Sequence, residues 1–152
     1  MEIKGIRGQF NGTLDEKGRL MLPSKLRNQL PVESLVLTKS VEKCLWLFPV
    51  ERWDRLVEAL TAKNSLFKEQ SQQIYRRLIA PAEEISLDKS GRVKLLPSLM
   101  RSVGLSRDCY LIGMDDHVEI WDERMYEEYE EACAASVKDG WNSLADMGDL
   151  GF

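Results

Sequence analysis

Leu14-Asp15-Glu16-Lys17-Gly18-Arg19-Leu20 returns 73 residues later as Leu87-Asp88-Lys89-Ser90-Gly91-Arg92-Val93. Leu22-Pro23 and Ser24-Lys25-Leu26-Arg27 follow the first copy. Leu95-Leu96-Pro97 and Ser98-Leu99-Met100-Arg101 follow the second, with one extra residue before the proline. Further along, Leu35-Val36-Leu37 matches Cys109-Tyr110-Leu111, and Leu47-Phe48-Pro49 matches Ile120-Trp121-Asp122. Roughly 45 residues are thus duplicated in order, and a repeat of this period decides how the chain is organised.

Both copies follow one plan. A short strand ends at Leu14 or Leu87, and a tight turn follows in which Gly18 or Gly91 supplies the positive φ. A second short strand starts at Arg19 or Arg92. Proline then opens a short helix, 24–30 or 98–103, because its fixed φ suits a first helical position. Two more strands are expected in each copy, at 34–38 and 44–48, then at 108–113 and 117–121. A longer helix closes each copy. Val50, Trp53, Leu56, Val57 and Leu60 recur at helical spacing in the first, and Met125, Tyr129, Cys133 and Val137 in the second. Between the copies, Phe67, Ile74 and Leu78 mark another helix that ends before Pro81. The Gly- and Asp-rich residues 138–152 are expected to fray. A module with four very short strands is too small to bury its own core. The two copies are therefore expected to pack into one α+β unit, a pseudo-two-fold β-barrel ringed by helices. The division is 8–52 for repeat 1, 53–81 for a helical linker, 82–125 for repeat 2 and 126–152 for an acidic C-terminal helix and tail.

Charge is unevenly spread. The net charge is -4. Yet residues 115–152 hold 12 acidic and only 2 basic residues, which leaves 19 basic against 13 acidic in 1–114. Net charge governs solubility, whereas a local patch is what meets phosphate. The excess sits on the repeated turns and the helices behind them. Lys4, Arg7, Lys17, Arg19, Lys25 and Arg27 carry it in the first copy, and Lys89, Arg92, Lys94, Arg101 and Arg107 in the second; of these, Arg7, Lys17, Arg19, Lys25 and Arg27, then Lys89, Arg92 and Arg101, are the candidate contacts. A turn needs Asp and Gly, but it does not need Arg directly after Gly in both copies. The planar guanidinium suits phosphate or a guanine edge. The competing structural reading has Asp15 accept the turn amides and pair with Arg19.

At these residues the chain resembles the MraZ family of bacterial transcriptional regulators, which carry two SpoVT-AbrB-type domains. The resemblance runs from about Arg7 to about Tyr126. It rests on the paired D-x-x-x-R motifs, on Leu20-Met21-Leu22-Pro23, on Arg76-Arg77-Leu78 and on Glu119-Ile120-Trp121-Asp122. It implies AbrB-like repeats of the swapped-hairpin type, a ring homo-oligomer, and binding to direct repeats of double-stranded DNA in a promoter. It assigns DNA contact to the first motif, Asp15, Lys17 and Arg19. The second motif, Asp88 to Arg92 with Ser90 where the first has Lys17, is left as a lesser contact or a structural element.

Other classes find less support. The three cysteines, Cys44, Cys109 and Cys133, are far apart and read as buried thiols in a reducing cytoplasm. No cofactor, metal or small-molecule substrate is expected. The start of the chain reads as no signal peptide and no apolar run spans a membrane, so a cytoplasmic, nucleoid-associated protein is expected. An enzyme would have to use His117, the single histidine, near Asp115 and Asp116. It reads instead as a surface-strand residue, and neither Glu83-Glu84 nor Glu130-Glu131 forms a dyad at a defined distance. The remaining rival is an AbrB-type antitoxin or assembly module, with Trp46, Phe48 and Trp53 lining a subunit interface or filling the core.

Overall fold

The structure, a computed structural model, describes residues 4–63, 68–148 and 150. In chain order it has β1 (Gln9–Thr13), β2 (Arg19–Met21), α1 (Ser24–Arg27), β3 (Leu35–Lys39), β4 (Leu45–Pro49) and α2 (Val50–Lys63). Next come α3 (Glu69–Ile74), a π-helical turn over Tyr75–Ile79, β5 (Glu83–Ile85), β6 (Arg92–Lys94) and α4 (Pro97–Ser102). β7 (Asp108–Gly113), β8 (Val118–Asp122) and α5 (Glu123–Asp146) complete it. The helix expected to include Phe67 is present as α3 and its π-helical continuation; Phe67 itself lies outside the described residues.

Six strands form one antiparallel sheet in the order β1-β7-β8-β4-β3-β5, and β2 pairs with β6 in a separate ribbon. Exchanging the copies (β1 with β5, β2 with β6, β3 with β7, β4 with β8) turns the sheet order into its own reverse. The register obeys the same operation. Phe10 faces Leu111 and Gly12 faces Cys109, just as Glu83 faces Leu37 and Ile85 faces Leu35. The axis passes between Trp46 and Glu119, opposite one another on β4 and β8, and between Leu20 and Val93 on the ribbon. Each copy therefore gives its first strand to the other copy's sheet, and neither half completes a sheet alone. This is the physical solution to two modules each too small for a core.

The fold is α+β, as expected: a six-stranded antiparallel sheet with β1 and β5 as its edges and a two-stranded ribbon packed on it. Alternation along the strands separates two apolar clusters. Leu35, Leu37, Leu45, Leu47, Leu111 and Ile120 face the ribbon and the short helices, meeting Leu20, Leu22, Leu26, Val93, Leu95 and Leu99. Val36 and Phe48 face the other way, towards Trp53 of α2 and Leu78. Phe48 and Trp53 thus fill a core, while Trp46 is only partly buried.

Two expectations are corrected. Residues 138–146 continue α5 instead of fraying. Gly140 within it costs about 1 kcal/mol relative to alanine, and the helix continues through it to Asp146. Asp122 caps the helix, its carboxylate accepting from the Met125 amide at 3.3 Å, with Glu123 in the first turn. Cys44 and Cys109 are buried as expected, but Cys133 is only half-buried. Burial pushes the Cys44 and Cys109 thiols up to about 12, which makes both inert as nucleophiles. Among the described residues, no helix is long and apolar enough to cross a membrane.

Candidate nucleic-acid interface

The two D-x-x-G-R loops close in the same way. Asp15 Oδ1 accepts from the amides of Lys17 and Arg19, each at 2.9 Å, and Oδ2 accepts from Arg19 Nε at 2.7 Å. Asp88 repeats the set with the amides of Ser90 and Arg92 and with Arg92 Nε, all at 2.9 Å. Gly18 and Gly91 have φ of 76° and 81°, the left-handed region where a side chain would be strained. The Arg19 amide, and after it the Arg19 guanidinium, holds the Asp15 carboxyl below its usual range against a partial desolvation effect. The Arg92 amide does the same for Asp88. The structural reading of the motif is therefore realised: aspartate organises the turn. It uses only Nε of each arginine. Arg92 Nη1 approaches Asp15 Oδ2 at 4.0 Å, and the two arginine side chains keep 29% and 28% of their surface exposed.

The loops are brought together by the ribbon. The Leu22 amide donates to the Gly91 carbonyl at 3.0 Å and the Leu95 amide to the Gly18 carbonyl at 2.9 Å. Each copy thereby clamps the other's loop. Leu20 and Val93 point inward, and strand alternation turns Arg19, Met21, Arg92 and Lys94 outward. Arg19 lies opposite Lys94, and Met21 opposite Arg92.

The remaining expected residues divide. Lys17 and Lys89 are exposed at the loop tips. Arg27 is a brace: its Nε donates to the Leu22 carbonyl at 2.8 Å. Its side chain also covers Gly91 so closely that a Cβ there would lie 2.7 Å from Arg27 Nη1. Arg101, its counterpart on α4, is exposed. Arg7 and Lys25 are exposed and linked through Gln29, whose Nε2 donates to both backbone carbonyls at 3.0 Å. No bond among the described residues joins that pair to the ribbon. Lys94 belongs to the basic excess of the second copy, but the motif alone did not single it out as a contact. The signal was present in Arg92-Val93-Lys94, where a period of two puts Lys94 beside Arg92.

His117 is not a surface-strand residue. Its side chain is 13% exposed, and it stacks on Phe48 with centroids 4.7 Å apart and meets Trp46 edge-on at 5.2 Å. Nδ1 contacts Asp116 Oδ1 at 2.5 Å, and Nε2 lies 3.9 Å from Glu119 Oε2. Glu119 also accepts from the indoles of Trp121 at 2.9 Å and Trp46 at 3.3 Å. Burial by itself lowers the His117 pKa, but Glu119 and Asp116 outweigh it and the net shift is upward. A raised folded-state pKa contributes stability that is complete below the unfolded value and fades as pH climbs through the folded one. The thermal midpoint should therefore fall as pH rises above the ordinary histidine value of about 6.5, and His117→Asn should flatten that slope. A slope of equal size in the variant would mean that other groups set it. Among the described residues, no three His, Cys, Asp or Glu side chains are placed to hold a metal ion.

Comparison with known proteins agrees with the duplication. The family profile described as "MraZ protein, putative antitoxin-like" matches the chain twice, over residues 6–77 and 78–144. The chain belongs to the MraZ family. Among its relatives is the transcriptional regulator MraZ of Treponema denticola, 42% identical over 147 residues, covering 97% of this chain and all of the relative. The regulator of the same name from Lactobacillus delbrueckii subsp. bulgaricus is 34% identical over 140 residues, 92% of this chain and 96% of the relative. That of Clostridium tetani is 36% identical over 125 residues, covering 82% and 87%. The boundary between the two MraZ matches falls in the π-helical turn. Each matched unit holds one loop and one ribbon strand, and each lends its first strand to the other.

Proposed function

We propose that this chain is a transcriptional regulator that binds double-stranded DNA through the outer face of the β2–β6 ribbon and its two loops, and that it is not an enzyme. The observation that supports this most directly is the meeting of both loops on one ribbon, each presenting a partly exposed arginine held at Nε by its own aspartate. Phosphate contacts would position the subunit and arginine forks would read base edges. Asp15, Lys17 and Arg19 form the primary contact, with Lys25 and Arg7 as flanking cations. Asp88, Lys89, Arg92 and Arg101 form the second, and Arg27 acts by holding the second loop.

One subunit offers few cations, so its own affinity is weak. A closed ring of copies, each meeting the next through unlike surfaces, would place several ribbons at fixed spacing on direct repeats. Effective concentration then raises avidity by about 10² to 10⁴. The exchange of first strands is consistent with AbrB-like units of the swapped-hairpin type, with repeats at 8–52 and 82–125. The DNA just upstream of the chain's own gene is the first target to test. A gel shift on that fragment, titrated with salt, should give a log–log slope of about -0.9 per phosphate contact. Absence of binding at low salt would overturn the reading. The antitoxin-like wording of the family description favours a second reading, tested by whether the chain captures a co-encoded toxin.

A further inference from the structure

We propose that Lys94, which lies outside both loop motifs, contacts DNA beside Arg19 and gives each subunit a direction on the duplex. The inference rests on the DNA-binding reading above. β2 and β6 are equivalent strands related by the pseudo-two-fold axis, with Leu20 opposite Val93 at its centre. Exchanging the copies carries Arg19 onto Arg92, but it carries Lys94 onto Met21. The backbone of the ribbon is symmetric and its outer face is not.

One end of that face sets two cations directly opposite each other, Arg19 and Lys94. The other end sets Arg92 opposite Met21, which is 46% exposed. Like charges opposite one another on a ribbon repel. Arg19 is compensated by Asp15 at 2.7 Å, and Arg92 by Asp88 at 2.9 Å. Lys94 is exposed on the same surface and has no ion pair among the described residues. An anion bridging Arg19 and Lys94 would relieve the repulsion, and a nucleic-acid phosphate has the charge to do so. At the Met21 end the same position offers only an apolar side chain. Turning the subunit end for end would therefore exchange a doubly cationic contact for a singly cationic one. A two-fold-shaped module with unequal ends distinguishes the two orientations of a site, and so suits sites repeated in one direction.

The test uses Lys94→Met, which makes the two ends of the ribbon chemically alike, and Lys94→Arg, which keeps the charge. Binding of the full chain to a random-sequence duplex of about 30 base pairs is followed by fluorescence anisotropy over a salt series. Lys94→Met should make the log–log slope shallower by about 0.9 for each subunit in contact, and Lys94→Arg should retain it. Lys138→Ala, an exposed lysine on α5, serves as the control and should leave the slope unchanged. Thermal unfolding of each variant checks that the fold is intact. On tandem copies of the segment of the upstream fragment that the parent chain shields from nuclease digestion, Lys94→Met should narrow the preference for direct over inverted arrangement. A slope for Lys94→Met equal to the parent's, while Arg19→Ala lowers it, overturns the assignment of Lys94 and leaves the DNA reading standing. Failure of the parent chain to bind any duplex overturns both.

Discussion

Arg19→Ala should abolish specific DNA binding while the protein stays folded. The turn keeps its shape without this side chain, because Asp15 still accepts from the Lys17 and Arg19 amides at 2.9 Å. The Asp15 carbonyl also still accepts from the Gly18 amide at 3.0 Å. What is lost is one solvent-accessible ion pair at 2.7 Å, which water and salt screen. On the DNA side, loss of an arginine fork from a base edge costs about 1–3 kcal/mol, or roughly fivefold to more than a hundredfold per subunit. Several subunits on one site multiply the effect. Asp15→Ala should show the opposite balance: it removes three acceptor contacts and frees two turn amides, so the loop itself is disturbed. The pair of variants separates the two readings of the motif. Thermal unfolding and gel shifts on the upstream fragment are measured together. If Arg19→Ala unfolds the protein, the arginine serves the turn and its role in DNA contact is withdrawn.

The turn chemistry was legible because it is local. Aspartate, positive-φ glycine and the following arginine lie within five residues, and their contacts in the structure match the residue types. The partner of each first strand was not legible. β3 and β7 have the same apolar pattern, so β1 fits either, and only the folded chain shows that it takes β7. Contacts at the far end hold that choice: the Ile6 amide donates to Asp115 O at 2.7 Å, and Arg52 of α2 donates to the Asp115 and Lys4 carbonyls. His117 shows the same divide. Its alternation with Glu119 and Trp121 was visible in the sequence, but stacking on Phe48 required the β4–β8 register. The charge of Lys94 was legible, but its place opposite Arg19 was not, since that neighbour is fixed by pairing with the other copy.

Leu20→Ala should be the most destabilising of the substitutions considered. Leu20 is fully buried on the pseudo-two-fold axis opposite Val93, which is 1% exposed. Its Cδ1 sits where a Cβ on Gly12 of β1 would come within 2.8 Å, so it packs into the space left by that bare α-carbon. Truncation leaves a cavity bounded by the ribbon and β1, elements tied to both copies. Leu→Ala at buried sites costs about 2–5 kcal/mol, against a total stability of about 5–15 kcal/mol for a typical domain. In urea the midpoint should drop with little change in slope, because the surface exposed on unfolding is nearly the same. Val93→Ala should cost less, and the double variant should depart from additivity because the two side chains face each other. DNA affinity should fall as well, although no cation is altered, since the cavity lets Arg19 and Lys94 shift relative to Arg92. A loss under about 1 kcal/mol would mean that the ribbon closes over the sheet as a separate flap. The shared axis would then not be what holds the two loops in one binding face.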